Sequence, residues 1–264
     1  MPRSNFGFER IAHRGASREA PENTIPAIRL AVQKYQVDRV EIDLRLSREG
    51  VPVVIHDAAL ERTTDGKGKV RQYSLAELKK RDAGFWFDPE GKKEFPHRGK
   101  GVRIPTLAEV LTEFPETRFC LEIKEKEAGV VRKVLEVIRP LSRKGSLLIG
   151  SFYGRVAREL RRLSGPSIEG VLSEDEVAWA YLAFRLGLRK LTLPSRYAFL
   201  PQAKYGFRFD QQEWIEFLHR QGVRVFYWTI NEIREMKNLI GRGADGILTD
   251  HPDRLNQLLN QGRF

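Results

Sequence analysis

Arg39-Val40-Glu41-Ile42-Asp43-Leu44 alternates apolar with polar residues, and the apolar ones are branched. Alternation with period two predicts a β-strand, and side chains two apart on a strand share a face. Glu41 and Asp43 then point one way, and Val40, Ile42 and Leu44 point the other. Two carboxylates held side by side repel, and burying them uncompensated costs several kcal/mol. Leu121-Glu122-Ile123-Lys124 repeats the pattern further along. A strand of this kind needs a sheet in which the carboxylate face is useful.

The rest of the chain supplies that sheet. Candidate strands lie near 10–13, 39–44, 51–56, 118–123, 146–151, 168–171, 190–193, 223–228 and 246–248. Helical patterns lie between most of them, at 24–34, 107–113, 130–138, 156–163, 174–186, 211–221 and 230–241. Val130, Val131, Val134, Leu135 and Ile138 share one helical face. Thr106 and Glu109 form a capping-box pair. Repeated β–α alternation argues for a parallel sheet, and about eight units argue for closure into an α/β barrel of the TIM type, (β/α)8. An open doubly wound sheet is the runner-up, weakened by the lack of G-x-G-x-x-G after the first strand.

One stretch breaks the rhythm. From His56 to Thr106 run about fifty residues with little strand–helix alternation, too long for a loop without a function. They hold the turn signals Asp65-Gly66-Lys67-Gly68 and Pro89-Glu90-Gly91, a short helix near 75–81, and Phe85-Trp86-Phe87. The expected organisation is one domain over residues 1–264, with an insertion after the second strand region, at about 58–105. Active sites of this fold sit at the strand ends where βα loops begin, so the insertion should overhang the site.

Composition excludes some classes. The 264 residues contain a single cysteine, Cys120, so no internal disulfide forms. Its place between Phe119 and Leu121 reads as a small buried thiol. Met1-Pro2-Arg3-Ser4-Asn5-Phe6 begins no apolar run fit for a signal peptide, and no later run is long enough to span a bilayer. A cytoplasmic protein is expected. Lys and Arg outnumber Asp and Glu 46 to 35, a formal net charge of +11. Phosphate esters, an anionic membrane surface or nucleic acid would all be attracted. No basic stretch alternates with aromatics as a nucleic-acid platform would.

Chemistry gathers at the strand ends. His13-Arg14-Gly15 and His56-Asp57 each close an apolar run. Glu41, Asp43 and Glu122 offer three oxygen ligands, a set that selects Mg²⁺, Ca²⁺ or Mn²⁺ over Zn²⁺. Paired histidines divide acid and base work near neutral pH. Asp57 either orients His56 or caps the following turn. Arg14 suits a phosphodiester by a forked contact and Lys124 as a point charge; both also suit ion pairs with Glu41 or Glu122. His97, His219 and His251 lack such settings and are read as non-catalytic.

These residues resemble the glycerophosphodiester phosphodiesterase family, within the wider phosphatidylinositol-phospholipase-C-like barrels. The resemblance is carried by His13-Arg14-Gly15, Pro21-Glu22-Asn23-Thr24, Glu41-Ile42-Asp43, Val53-Val54-Ile55-His56-Asp57 and Arg62-Thr63-Thr64. It continues through Ile104-Pro105-Thr106-Leu107, Leu121-Glu122-Ile123-Lys124, Tyr227-Trp228-Thr229-Ile230-Asn231 and Gly243-Ala244-Asp245-Gly246-Ile247-Leu248-Thr249-Asp250. Each motif alone is weak; their order and spacing are specific. The resemblance implies metal ligation by Glu41, Asp43 and Glu122, and acid–base roles for His13 and His56. It implies phosphate binding by Arg14 and Lys124, and an apolar wall from Trp228, which Phe152 would join. Asn23 and Asn231 are expected to bond loops.

The expected activity is metal-dependent hydrolysis of a glycerophosphodiester, such as glycerophosphocholine or glycerophosphoethanolamine, to glycerol 3-phosphate and an alcohol. Water or the substrate's own glycerol hydroxyl would attack. The alternatives are a lysophospholipase-D-like or phospholipase-C-like lipid hydrolase, with membrane contact through the basic surface and Phe85-Trp86-Phe87, and a non-catalytic anion- or nucleic-acid-binding barrel.

Overall fold

The computed structural model describes residues 7–127, 129–141, 145–165 and 168–262. The stretch 1–6, read above for a leader, lies outside them. Eight parallel strands form the barrel wall: β1 (Glu9–His13), β2 (Arg39–Leu46), β4 (Phe119–Ile123), β5 (Leu147–Gly150), β6 (Ile168–Gly170), β7 (Tyr197–Leu200), β10 (Arg224–Tyr227) and β11 (Gly246–Thr249). Their order around the wall is β6-β5-β4-β2-β1-β11-β10-β7. The seam between β6 and β7 is drawn together by Leu172 N–H donating to Tyr197 O at 2.9 Å and by the Ser195 hydroxyl donating to Gly170 O. The architecture is a nearly closed TIM-type (β/α)8 barrel.

Helices α1 (Ile25–Arg29), α3 (Leu107–Glu113), α4 (Gly129–Ile138), α5 (Gly154–Leu163), α6 (Glu174–Arg185), α7 (Gln212–Arg220), α8 (Ile233–Gly241) and α9 (Pro252–Asn260) pack around the wall. The α4 residues Val130, Val131, Val134, Leu135 and Ile138 are buried, as their spacing predicts. Val40, Ile42 and Leu44 join them in the layer between wall and helices. Thr106 caps α3 through a complete capping box with Glu109. After α1 the chain winds into a π-type turn, Leu30–Lys34, so the expected helix over 24–34 is not uniform. No described helix is long and apolar enough to cross a membrane.

Three expectations need correction. The run 51–56 is not a wall strand: β3 (Pro52–Val54) pairs antiparallel with the end of β2, Leu44 opposite Val54 and Leu46 opposite Pro52. The chain reverses at Gly50 (φ +83°), a left-handed position that suits glycine. The 190–193 run is not a strand either. The wall uses 197–200 instead, paired with β10 through Tyr197 opposite Arg224 and Leu200 opposite Tyr227. Helix α9 was not foreseen, although Pro252 at its first position is a normal helix start.

Between β3 and α3 the chain builds a small apolar cluster of its own. Val53, Ile55, Leu60, Val70, Leu78, Ala83, Val102 and Ile104 are buried in it. It holds the one-turn helix α2 (Leu75–Leu78), capped by Ser74 and Glu77. Phe85 and Phe95 hold the Arg98 guanidinium, 4.1 and 3.8 Å from their ring centres, and Trp86 stays exposed.

The opposite end of the barrel is closed by charge. The buried Glu9 carboxylate accepts from Arg39 (3.1 Å), Arg118 (3.0 Å) and Arg224 (2.6 Å). Burial alone would raise the Glu9 pKa, but the three guanidiniums outweigh it and hold the acid below its ordinary 4.5. The folded-state pKa is therefore lower than the unfolded one, so the stabilisation is full above the unfolded value. It is lost as pH falls through the folded value. Glu9→Gln is expected to cost about 3–5 kcal/mol at neutral pH in urea unfolding, because Arg39 stays buried without its carboxylate. The variant should also lose part of the parent's steep destabilisation between pH 4.5 and lower pH.

Candidate active site

β1 ends at His13, and the next two residues turn sharply: Arg14 and Gly15 have φ of +59° and +85°. A Cβ on Gly15 would lie 2.6 Å from the Ala27 carbonyl carbon. The turn folds the β1–α1 loop over the carboxylates. Arg14 N–H donates to Glu41 Oε2 at 3.0 Å. Asn23 donates to Asp43 Oδ2 at 2.8 Å and accepts from Asp43 N–H at 3.1 Å. Gly15→Ala should cost at least roughly 1–3 kcal/mol from backbone strain alone. Urea unfolding measures the loss, and activity should fall with it because Glu41 loses its backbone anchor.

Glu41, Asp43 and Glu122 converge. One oxygen from each lies within 4.8 Å of the others. Pairing of β2 directly with β4 makes Asp43 and Glu122 lateral neighbours, and β1 sets His13 opposite Glu41. Glu122 therefore stands beside Asp43 on the adjacent strand, with no strand between them. Lys124 Nζ lies 2.7 Å from Glu122 Oε1 and 3.2 Å from Asp43 Oδ1, both ion-pair contacts without hydrogen-bond alignment. Arg14 Nε lies 3.1 Å from Asp43 Oδ2, and Arg14 also donates to Glu22 at 2.9 Å.

Electrostatics divides the three acids. Burial and the charges of Asp43 and Glu122 push the Glu41 pKa well above its ordinary value. Burial also raises Glu122, with Lys124 opposing. Burial would raise Asp43 too, but Lys124, Arg14 and His56 hold it down. Glu41 Oε1 is buried with no hydrogen-bond partner. Three crowded carboxyls, an orphaned oxygen and an all-oxygen donor set fit a hard divalent cation.

Both histidines are backed by carboxylates. His13 Nδ1 lies 2.7 Å from Asp250 Oδ1, and Asp250 also accepts from Ser17 and Asn231, both at 2.8 Å. Burial opposes these bonds, which nonetheless drive the Asp250 pKa down. His56 Nδ1 lies 2.5 Å from Asp57 Oδ1, and Asp57 accepts from Arg62 Nε at 2.5 Å. Burial of Asp57 is outweighed by Arg62 and His56, which bring it to about 2. Burial lowers the His56 pKa, partly offset by Asp43. Arg62 also donates twice to Glu22 at 2.7 Å, tying the start of the 58–105 segment to the β1–α1 loop. The β2–β3 hairpin returns His56 to the mouth, with Ile55 N–H donating to Asp43 O at 3.0 Å.

A cavity of about 270 Å³ is bordered by His13, Arg14, Glu41, His56, Glu122 and Lys124 on its polar side. Phe152, Trp228, Phe199 and Leu172 border the apolar side. The rings of Phe152 and Trp228 are 5.5 Å apart, and Lys124 Nζ sits 5.3 Å from the Phe152 ring centre. A polar depression of about 510 Å³ opens on the other side of His13 and Arg14. Such a cavity offers a cation site, two anchored imidazoles and basic groups for one phosphoryl group.

The family model for the glycerophosphoryl diester phosphodiesterase family matches residues 13–254. The chain belongs to this family. A glycerophosphodiester phosphodiesterase of Caldanaerobacter subterraneus subsp. tengcongensis is 32% identical over 259 residues, covering 96% of this chain and 98% of that protein. A lysophospholipase D of Mus musculus is 28% identical, covering 97% and 83%. Among solved structures, an Oleispira antarctica phosphodiesterase in complex with the product sn-glycerol-3-phosphate superposes with a TM-score of 0.77 at 29% identity, covering 96% of each chain. This member of the family is thus an enzyme, a glycerophosphodiester phosphodiesterase and hydrolase.

The structure brings together every residue singled out for the site: His13, Arg14, Glu41, Asp43, His56, Glu122, Lys124, Phe152 and Trp228. His219 instead bonds Asp245 at 2.8 Å, and His97 sits against Phe87. The Asn23 side chain bonds Asp43 on β2 and not a loop, whereas Asn231 bonds Asp250 in the loop after β11, accepting from its N–H at 3.0 Å. Cys120 is buried, and burial pushes its thiol pKa up. Two groups around the site were missed. Asp250 was quoted only as part of a motif, though its place just after β11 was a usable signal. Glu22 and Arg62 both stand in motifs of the family, but nothing in the sequence pairs two residues 40 apart.

Proposed function

We propose that this phosphodiesterase is metal-dependent and uses His13 and His56 as its acid–base pair. The observation that carries the reading is one cavity bordered by Glu41, Glu122 and two carboxylate-backed imidazoles, with the buried Asp43 converging on the same two carboxyls. Glu41, Asp43 and Glu122 would hold Mg²⁺, Ca²⁺ or Mn²⁺, which when bound supplies Lewis-acid stabilisation of charge on the phosphoryl oxygens. Arg14 and Lys124 place positive charge beside the same group, each kept oriented by its own carboxylates. With Nδ1 of each histidine engaged by an aspartate, Nε2 is left for substrate. One imidazole accepts the proton of the attacking hydroxyl, whether of water or of the glycerol arm. The other returns a proton to the departing alcohol as its P–O bond breaks. Phe152 and Trp228 form the apolar wall against the carbon skeleton. The chain works as a single barrel domain, with 58–105 as an insertion pinned to the site by Arg62.

Glycerophosphocholine and glycerophosphoethanolamine are the proposed soluble substrates. The assay is release of glycerol 3-phosphate before chelation, after it, and after return of each metal. Activity should vanish on chelation and return with a divalent cation. Full activity after exhaustive chelation would remove the metal from the proposal. A lysophospholipase-D-like activity is the second reading, favoured by the mouse relative and the apolar cavity wall. The small cavity leaves an acyl chain outside, so the soluble diesters should turn over faster than lysophosphatidylcholine.

A further inference from the structure

Six of the nine large hydrophobic side chains exposed among the described residues fall between 179 and 207: Trp179, Leu182, Leu186, Leu188, Tyr205 and Phe207. Scattered exposed apolar residues are ordinary, but a contiguous patch calls for a partner. At 100° per residue, Trp179, Leu182 and Leu186 fall within about 60° of arc on the outer face of α6. Trp179 is 53% exposed and Leu186 67%. Just past α6, the chain turns at Gly187 (φ +72°), and Leu188 N–H bonds Ala183 O at 3.0 Å, which prolongs the stripe. The hairpin of β8 (Ala203–Lys204) and β9 (Phe207–Arg208) flanks it. The Phe207 ring meets that of Tyr181 on α6 at 5.6 Å, and Tyr205 at the tip is 80% exposed.

Charge decides the occupant. From Val177 to Phe209 the chain carries six cations and no acid: Arg185, Arg189, Lys190, Arg196, Lys204 and Arg208. Lys204 pairs with Glu174 and Arg208 with Asp210, so the positive surplus rests on Arg185, Arg189, Lys190 and Arg196, while Asp175 pairs with Arg158 and Glu176 with Arg161. A two-fold pairing with a second copy would press this cationic surface against itself. A sheet of anionic head groups above an apolar layer complements both features: aromatic and leucine side chains enter the interface, and arginine and lysine meet phosphates.

We infer that the α6 face and the β8–β9 hairpin form a docking surface for an anionic lipid bilayer. The surface adjoins the active-site mouth, since Lys204 Nζ lies 5.8 Å from the Phe152 ring centre. Docking there leaves the cavity at the edge of the lipid layer. The exposed Trp86 belongs to a different cluster, around Arg98, and is not part of this surface.

The test is co-sedimentation of the full chain with vesicles of phosphatidylcholine alone, and of phosphatidylcholine mixed with phosphatidylglycerol. Binding should be at least about tenfold tighter to the anionic vesicles and should weaken with added salt. Arg189→Glu with Lys190→Glu should lower it at least about tenfold, at roughly fivefold per cation before reversal of charge is counted. Trp179→Glu with Leu186→Glu should abolish it, whereas Trp86→Glu should leave it unchanged. Both double variants should keep the parent's turnover of soluble diester and its unfolding midpoint, which separates lost docking from lost folding. Equal binding to both vesicles, undiminished binding by the variants, or a stable dimer that hides Trp179 would each overturn the inference.

Discussion

His13→Ala should lower kcat for glycerophosphodiester hydrolysis by about 10²–10⁴-fold, with a far smaller change in KM. The ring sits at the end of β1, held by Asp250 at 2.7 Å and set opposite Glu41 by strand register. Its loss removes a proton carrier from the cavity without removing a main packing element, since the side chain is only partly buried. His56→Ala should fall by a similar factor, and the double variant by less than the product if the two act as one unit. Added imidazole should restore part of the rate to either single variant. Asp250→Asn is a positioning change, and its signature is a lower kcat at nearly constant KM with no rescue by imidazole. Wild-type rates in both histidine variants would end the acid–base proposal.

Glu41→Gln is expected to cost roughly a thousandfold in kcat/KM, the equivalent of several kcal/mol of charge stabilisation. Its stability should move the other way. The parent buries a carboxyl that burial and two like charges push toward the neutral form. Glutamine removes that repulsion, so in chelator the variant should unfold no earlier than the parent. Added Mg²⁺, Ca²⁺ or Mn²⁺ should raise the parent's stability, by about 2.7 kcal/mol at a hundred times Kd, and leave the variant's nearly unchanged. Differential scanning calorimetry with and without metal reads both effects without reference to turnover. A parent whose midpoint ignores divalent cations would contradict the metal site directly.

Much of this site was legible in residue spacing. Glu41 and Asp43 two apart in an apolar strand must share a face, and Leu121-Glu122-Ile123-Lys124 obeys the same rule. The same alternation misled at 190–193, where Lys190-Leu191-Thr192-Leu193 reads as a strand as well as Tyr197-Ala198-Phe199-Leu200 does. Periodicity describes one chain segment. The backbone partner that makes it a strand comes from β10.

The sequence by itself determined which residues gather at the candidate site, which of their neighbours are buried, and that β–α alternation closes into a barrel. Those properties depend on contacts a few residues long and on side-chain polarity. Only the tertiary structure decided who stands beside whom. It set β3 outside the wall as a hairpin, so that β4 lies against β2 and Glu122 beside Asp43. It brought Asp250 to His13 across 237 residues and Arg62 to Glu22 across 40. Such pairings follow from strand order and closure of the wall. Hydrogen bonds between distant segments fix these, and local pattern does not encode them.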